Sequence, residues 1–311
     1  MPINNDSLLK SYKNTLTSLR VAGESATTQI VKDELLKGVS SMIGDIPITS
    51  DLNEGTLLVG TFKELSVFPE ISATQQDVGN EGYIIKSYKI KGQHITVITA
   101  EGDAGLLYGA FHFLRLLQTS GPIDNLNIVE KPAIQLRVLN HWDNLDRTSE
   151  RGYAGFSIWD WHRLPKYIDQ RYIDYARANA SLGINGTVLN NVNADALILT
   201  PMYLEKVKAL AGVFRDYNIK VYLTARFSAP IEIGGLKTAD PLDPEVQQWW
   251  EDKVDEIYRY IPDFGGFLVK ANSEGQPGPQ NYGRSHADGA NMMAKALEPH
   301  HGLVMWRAFV Y

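Results

Sequence analysis

The chain has 311 residues, enough for one large domain or two of ordinary size. Hydrophobic residues make up 44% and charged residues 21%, as in globular proteins, and the absence of cysteine excludes disulfides, thiolate catalysis and cysteine-ligated metals. A net charge of −6 and a pI of about 5.7 argue against a nucleic-acid partner, because nucleic-acid binders normally present a basic face.

The first 20 residues contain no apolar core of a signal peptide. As written, the chain therefore predicts a cytoplasmic protein, and a periplasmic or secreted protein stays open if residues precede Met1. No apolar run in the sequence reaches the roughly 18–20 residues that cross a bilayer, so we expect no membrane partner.

Residues 1–130 have the pattern of a small α/β domain. Apolar residues at helical spacing behind a Ser/Thr cap predict a helix at 25–43, and a short apolar run bounded by glycine predicts a strand at 55–62. Two β-rich runs joined at "KGQ" predict a hairpin at 81–100, and a strongly apolar segment predicts a helix at 103–118. Gly92 supplies the hairpin turn. We predict an N-terminal α/β sandwich domain over 1–130, with the polar, turn-rich stretch 121–132 as the linker.

From residue 131 onward, strands and helices alternate. The predicted strands are 134–143, 184–193, 219–227, 264–274 and 302–311, and the predicted helices are 172–183, 200–218, 243–262 and 285–300. This alternation predicts βαβ units and a parallel sheet, which leaves a doubly wound fold and a (β/α)8 barrel as alternatives.

The loop after the first of these strands favours the barrel. A doubly wound sheet would have a glycine-rich phosphate loop there, whereas this chain has the long aromatic and polar stretch "NHWDNLDRTSERGYAGFSIWDWH" without GxGxxG. Long functional loops after strand ends are typical of (β/α)8 TIM barrels. We predict an α/β fold in which 131–311 forms the first part of such a barrel, with about five of its strands.

Each predicted strand ends in polar or aromatic residues. They are Asn140, His141, Trp142 and Asp143, then Asn190, Asn191 and Asn193, then Arg226, then Lys270, Asn272 and Glu274, then Arg307. The ends of parallel strands meet at one face, where barrel active sites lie. We therefore predict a functional site at this face.

Glu274 is the candidate acid, although a solvated loop carboxylate or a helix cap is the plain alternative. With a strand period of two, residues 270, 272 and 274 would share one side. Burial raises a carboxyl pKa and a nearby cation lowers it, so this place could tune a glutamic acid to hold and release a proton. Glycoside hydrolases use two such carboxyl groups.

Lys270 and Arg307 are candidate cations for an anionic substrate group, because an arginine can bind a carboxylate with two parallel hydrogen bonds. The alternative is that one of them only pairs with Glu274. Trp142, at a strand end, could stack on the apolar face of a sugar, while Trp159 and Trp161 could equally pack against the barrel. The histidines lack metal-motif spacing and GxSxG is absent, so we predict neither a metal nor a cofactor.

Two blocks, 136–161 ("LRVLNHWDNLDRTSERGYAGFSIWDW") and 266–311 ("GFLVKANSEGQPGPQNYGRSHADGANMMAKALEPHHGLVMWRAFVY"), resemble the α-glucuronidases of glycoside hydrolase family 67. The resemblance runs over nearly the whole chain. It implies a hexosaminidase-like N-terminal domain, a (β/α)8 barrel and a helical C-terminal domain. It also implies inverting removal of (4-O-methyl)glucuronic acid, α-1,2-linked to the terminal xylose of glucuronoxylan-derived oligosaccharides (aldouronic acids).

The resemblance also assigns residues. It implies that Glu274 in "KANSEG" is the general acid, that Lys270 and Arg307 contact the uronate, and that Trp142 in "NHWDN" lies at the sugar subsite. Val192 in "NNVNA" is implied to line the pocket for the 4-O-methyl group.

One departure from the family pattern concerns the catalytic base. The family has it on later barrel strands, so we expect this chain to be a fragment, lacking the rest of the barrel and the helical domain, and inactive on its own. Three alternative functions stay open: a non-catalytic uronate- or xylooligosaccharide-binding module, a decayed gene product, and a hexosaminidase-like hydrolase. Hexosaminidase-like enzymes commonly carry an Asp-Glu pair at this strand end, whereas here Ser273 precedes Glu274, which argues against the last of these. A homodimer of the full-length protein is also left open.

Overall fold

The computed structural model describes Ile3 and residues 5–308. It divides into two compact units. The first comprises the chain to Gln135 with the short segments Ala178–Gly183 and Asp216–Asn218, and the second comprises the remainder. The division at 130/131 expected from the sequence lies close to this change at Gln135 and stays a prediction of domain organisation.

The first unit is built around a mixed five-stranded sheet. Its elements are α1 (Asp6–Thr15), β1 (Ser18–Val21), α2 (Ala26–Ile43), β2 (Thr56–Thr61), α3 (Pro69–Ser72), β3 (Tyr83–Ile90), β4 (Gln93–Ala100), α4 (Asp103–Gln118) and β5 (Asn127–Glu130). The strand order is β1-β2-β4-β3-β5. The pairs β1–β2 and β2–β4 are parallel, while β3 pairs antiparallel with β4 and β5.

Local sequence accounts for several of these elements. The Ser25 side chain accepts a hydrogen bond from the Thr28 amide and caps α2. Lys91 and Gly92, with φ of 51° and 86°, form the two-residue turn of the β3–β4 hairpin, where positive φ favours glycine. Gly109 lets α4 approach the sheet, because a Cβ there would lie 2.7 Å from the Ile98 side chain.

The expected linker at 121–132 is wrong in part, because it contains β5. Residues Asn127–Glu130 pair with β3 as an edge strand. This segment is short and mostly exposed, so it carries no apolar alternation that would reveal a strand. Pairing with an edge that is already formed decides its conformation.

The second unit alternates strands and helices around a parallel sheet of half-barrel form. The elements from residue 136 onward are β6 (Val138–Asn140), α5 (Gln170–Ser181), β7 (Gly186–Val188), α6 (Pro201–Asp216), β8 (Lys220–Thr224), α7 (Ala229–Glu232), α8 (Pro244–Tyr260), β9 (Gly266–Ala271), α9 (His286–Leu297) and β10 (Leu303–Ala308). The strands lie in chain order, β6 to β10, and each neighbouring pair is parallel. The expected strands are present but shorter, and the last three residues of the expected strand 302–311 lie outside the described residues.

The two faces of this sheet are buried differently. On one face, Val188, Tyr222 and Leu268 form an apolar cluster with the loop residue Val192. On the other face, residues of the helices cover the strands, as where Trp250 of α8 meets Phe267 of β9 at a ring-centroid distance of 5.8 Å. Burial on both faces is typical of parallel sheets.

Candidate active site

Parallel pairing brings the carboxyl ends of β6 to β9 to one edge of the sheet, as the sequence predicts. The polar residues that follow them along the chain are His141, Trp142 and Asp143 after β6, Asn190, Asn191 and Asn193 after β7, Arg226 after β8, and Glu274 after β9. Contacts between these segments define the candidate site.

Lys270 forms the centre of this site. Its side chain is only 2% exposed, and its Nζ donates to Asn193 Oδ1 at 2.9 Å and to Glu274 Oε2. A buried ammonium is costly unless it is paired, and these two acceptors compensate its charge. Lys270 therefore joins the end of β9 to the loop after β7.

Glu274 lies on a tight turn just beyond β9. Asn272 and Glu274 have φ of 52° and 48°, Gly275 has 78°, and Ser273 pairs with Gln276 in an isolated β-bridge. Left-handed conformations are unfavourable for residues other than glycine, and they concentrate at functional sites. The turn folds the Glu274 carboxylate back onto Lys270.

Two cations hold the Glu274 carboxylate. Lys270 donates to Oε2, and Arg151 Nη2 lies 3.2 Å from Oε1. The Lys270 hydrogen bond, then its charge, and lastly the weaker contribution of Arg151 lower the pKa of Glu274 below its ordinary value. Half of the Glu274 side chain is exposed, so water weakens both interactions.

Asn272 does not share a side with Lys270 and Glu274, and the expectation of period two across 270–274 is wrong. β9 ends at Ala271, and the Asn272 side chain donates to Asn281 Oδ1 at 2.9 Å and accepts from the Gln280 amide at 3.1 Å. The left-handed backbone at Asn272 breaks the strand alternation. This amide therefore holds the following loop together.

Arg307 lies in β10 opposite Lys270 in the parallel register. Residues paired in this way direct their side chains to the same face of a sheet. Arg307 is partly buried and projects from the face on which Lys270 meets Glu274. The structure thus places the two predicted cations as neighbours on adjacent strands.

The predicted sugar-contacting residues differ in accessibility. Trp142 is 38% exposed at the carboxyl end of β6, whereas Val192 is 1% exposed within the apolar cluster of the second unit. Trp159 and Trp161 are fully buried. Trp159 donates from Nε1 to the Leu189 carbonyl at 3.0 Å, so the packing alternative describes both tryptophans.

The loop after β6 is held by hydrogen bonds to its neighbours. Asp143 is 6% exposed, lies 3.2 Å from His141 Nδ1 through Oδ2, and accepts from the Ile158 amide through Oδ1. The other ring nitrogen of His141 lies 2.7 Å from the Tyr175 hydroxyl on α5. These bonds fix a loop that would otherwise be too long to hold a defined shape.

A cavity of about 280 Å³ opens between the loops after β6 and β7. Its lining includes Asp143, Asn144, Asn190, Asn191 and Asn193. Carboxylate and amide groups can hydrogen-bond to sugar hydroxyls, and Asn193 also binds the Lys270 ammonium. A polar cavity therefore adjoins the cation and carboxylate pair.

Arg226 belongs to the same face but pairs elsewhere. It forms an ion pair with Glu232 of α7, and its Nη1 lies 3.2 Å from Oε1 of Gln276 in the loop that carries Glu274. Arg226 thus supports the Glu274 loop.

The sequence did not point to Arg151 or Tyr175. Arg151 lies within a stretch of turn-forming residues, and its charge looked like that of any exposed loop arginine. Its position in a long loop after a barrel-like strand was the only available signal.

Within residues 5–308, no group of three or more His, Asp or Glu side chains is arranged to hold a metal ion, and no helix is long and apolar enough to span a membrane.

Family comparisons cover both parts of the chain. Residues 116–311 match the family described as "Glycosyl hydrolase family 67 middle domain". The chain belongs to glycosyl hydrolase family 67. Residues 1–113 match the family 67 N-terminus, so both matches agree with the resemblance carried by the sequence blocks around Trp142 and Glu274.

Curated relatives include a probable alpha-glucuronidase A of Aspergillus terreus, which is 40% identical over 283 residues, covering 90% of this chain and 33% of that protein. The alpha-glucuronidase A of Emericella nidulans is 37% identical over 317 residues, covering 97% of this chain and 37% of that protein. The family 67 chain described here thus spans about a third of the length of these relatives.

Solved structures show that this family 67 chain has a glycosidase-like fold. A GH138 enzyme that targets pectin rhamnogalacturonan II aligns with a TM-score of 0.59 at 15% identity over 91% of this chain and 42% of its own. CpGH84D aligns with a TM-score of 0.58 at 16% identity over 92% and 45%. At such identities, the likeness concerns the fold alone.

Proposed function

We propose that the protein is an α-glucuronidase of xylan degradation. It would hydrolyse the α-1,2 bond between (4-O-methyl)glucuronic acid and the terminal xylose of xylooligosaccharides, with inversion. Family membership and the relatives named alpha-glucuronidase A support this proposal. Its substrates would be aldouronic acids derived from glucuronoxylan.

The observation that carries the proposal is the contact between the buried Lys270 ammonium and the Glu274 carboxylate, with Arg307 opposite Lys270 on the next strand. Two cations on one face suit a uronate carboxylate, and a carboxyl group beside them suits a proton donor. Glu274 would protonate the leaving oxygen of xylose, while Lys270 and Arg307 would hold the uronate.

The remaining roles follow the same arrangement. Trp142, with its exposed indole, would stack on the sugar. Val192 would contact the 4-O-methyl group. Because Val192 is buried in the apolar cluster, this contact requires the side chains that cover it to move when the ligand binds. The strands β6 to β10 would be the first five strands of a (β/α)8 barrel, as their parallel order and the glycosidase-like neighbours support.

Inverting hydrolysis also needs a second carboxyl group that activates water. Asp143, which lines the cavity together with Asn193, is bound to His141 and the Ile158 amide. Glu150, next to Arg151 in the chain, has an Oε1 oxygen 3.9 Å from Nε of Arg151. Because Asp143 is held within the loop after β6 and Glu150 lies beside the Arg151 guanidinium, we propose that the 311-residue chain binds the uronate but turns over slowly or not at all.

A second candidate, a uronate-binding module without turnover, is favoured by the same engagement of Asp143 and Glu150. Both candidates require that the protein binds glucuronate more tightly than glucose. Calorimetry with the two sugars tests this requirement. Equal affinity for the two sugars would contradict both. Release of glucuronic acid from aldouronic oligosaccharides, lost in Glu274→Gln, would decide for the enzyme and against the binding module.

A further inference from the structure

The resting form of the site presents a conflict. A general acid must carry a proton, yet both oxygens of Glu274 are held by cations, Oε2 by Lys270 and Oε1 by Arg151. Such contacts stabilise the carboxylate over the carboxylic acid. Without a further event, Glu274 is held in the form that cannot donate a proton.

Lys270 is the residue that can resolve this conflict. If the proposed function is right, its ammonium also contacts the uronate, so substrate and Glu274 compete for one buried cation. The ammonium has three N–H donors, of which Asn193 accepts one at 2.9 Å and Glu274 accepts another. A uronate carboxylate that binds the Lys270 ammonium therefore weakens the ion pair between Lys270 and Glu274.

Substrate entry would bring a second negative charge close to Glu274. Two carboxylates that share one site cannot both remain ionised without cost, and the usual outcome is that one of them gains a proton. The uronate is bound between Lys270 and Arg307 in the proposed arrangement, so its charge is compensated. Glu274 then keeps only its exposed contact with Arg151.

We propose that uronate binding is coupled to uptake of one proton from solvent by Glu274. The inference rests on the proposed function, because it requires that a uronate occupies the site. The bound anion releases Lys270 from Glu274 and thereby converts the resting carboxylate into the acid form that hydrolysis needs. A neutral sugar in the same place leaves Glu274 ionised.

The other charged groups around the turn fit this assignment. From the loop after β6, Arg151 faces Glu274 and is itself 3.9 Å from Glu150. From β10, Arg307 is the neighbour of Lys270. After β8, Arg226 is paired with Glu232. Glu274 is the carboxylate of this group that shares the buried lysine, so it is the one that substrate entry affects most directly.

The test is calorimetry of glucuronate binding to the 311-residue chain in buffers of low and high ionisation enthalpy. Between about pH 4.5 and 6.5 the free ligand is ionised, and uptake of up to about one proton per bound glucuronate is expected. Glucose binding is expected to take up none. Binding of glucuronate without proton uptake would overturn this inference alone, whereas absence of binding would contradict the proposed function.

Three variants test whether Glu274 is the group that takes up the proton. Glu274→Gln is expected to bind glucuronate with no proton uptake, and uptake that persists in this variant would overturn the assignment. Arg151→Gln removes one of the two cations from the resting carboxylate, so the pH range of uptake is expected to move upward. Arg171→Gln is the matched control, because Arg171 is similarly exposed and is 3.2 Å from Asp169 in its own ion pair. It is expected to leave the uptake unchanged.

Discussion

Arg307 lies directly opposite Lys270 in the parallel pairing of β10 with β9. The two residues come from adjacent strands and project from the same face, so two positive charges meet where the carboxyl ends of the strands converge. Lys270 is nearly inaccessible, while Arg307 is partly buried. This relationship makes the face suited to an anion and supplies the first prediction.

Arg307→Gln is expected to weaken glucuronate binding about 10–100-fold, because a hydrogen bond to a charged group contributes roughly 1.5–3 kcal/mol. Isothermal titration calorimetry measures the change in Kd. Arg259→Gln, an exposed arginine of α8, is the control and should bind as the parent does. Unchanged affinity in Arg307→Gln would refute its role as a uronate contact.

Lys270→Met is expected to separate binding from stability. The carboxylate left behind, Glu274, is half exposed and keeps its contact with Arg151, so it stays solvated and the free energy of unfolding should fall by no more than about 1 kcal/mol. Glucuronate binding should fall at least 10-fold, because the central cation is lost. Urea denaturation and calorimetry on the same preparation measure both quantities.

Asn193→Leu provides the comparison for this variant. It keeps the buried ammonium but removes the acceptor 2.9 Å from Nζ. The free energy of unfolding is expected to fall by about 1–3 kcal/mol, more than in Lys270→Met. The reverse order of the two variants would show that the lysine is held mainly by other interactions.

Trp142 is the most accessible of the tryptophans and should report ligand binding. Its fluorescence is expected to be the most readily quenched by acrylamide, since Trp159, Trp161 and Trp250 are fully buried. Aldouronic oligosaccharides should protect the parent from quenching but not Trp142→Phe. Trp142→Ala should weaken their binding about 2–10-fold, given that aromatic contacts contribute roughly 0.5–1.5 kcal/mol. Equal protection in Trp142→Phe would place the ligand elsewhere, and Trp249→Phe is the control.

The buried Tyr258 hydroxyl leads us to predict that the free energy of unfolding falls at alkaline pH. Burial raises its pKa to about 12, and its hydroxyl donates to the Phe264 carbonyl at 2.8 Å. Because the folded pKa lies above the ordinary value of 10.0, the unfolded state releases the proton first, and the contribution to stability falls as the pH rises from 10 towards 12. The loss is expected to be about 1 kcal/mol per pH unit.

Tyr258→Phe checks this prediction. The variant should be about 1 kcal/mol less stable than the parent near pH 8, because it lacks the buried hydrogen bond, and this gap should shrink above pH 10. Urea denaturation at several pH values measures the gap. Tyr153→Phe, at a residue that is 77% exposed, should match the parent throughout. A gap that stays constant with pH would mean that Tyr258 does not titrate in this way.

Several elements of the fold follow from interactions between residues that are close together in the chain. Helices begin where Ser25, Asp243 and Ser285 accept hydrogen bonds from amides of the following turn, and the β3–β4 hairpin turns at Gly92, where φ is positive. The alternation of strands and helices also determined the parallel order of β6 to β10, since parallel neighbours require crossover helices. The same alternation predicted the face on which Lys270 and Glu274 lie.

The side-chain contacts on that face depend on the packing of segments that are distant in the chain. Arg151 reaches Glu274 from a distant loop, Asn272 turns away from the site, Val192 enters the apolar cluster, and Asn127–Glu130 becomes an edge strand. Each of these outcomes depends on a partner far along the chain. Propensity, capping and alternation act through residues a few positions apart, so they fix where elements begin and end, while packing chooses which side chains meet.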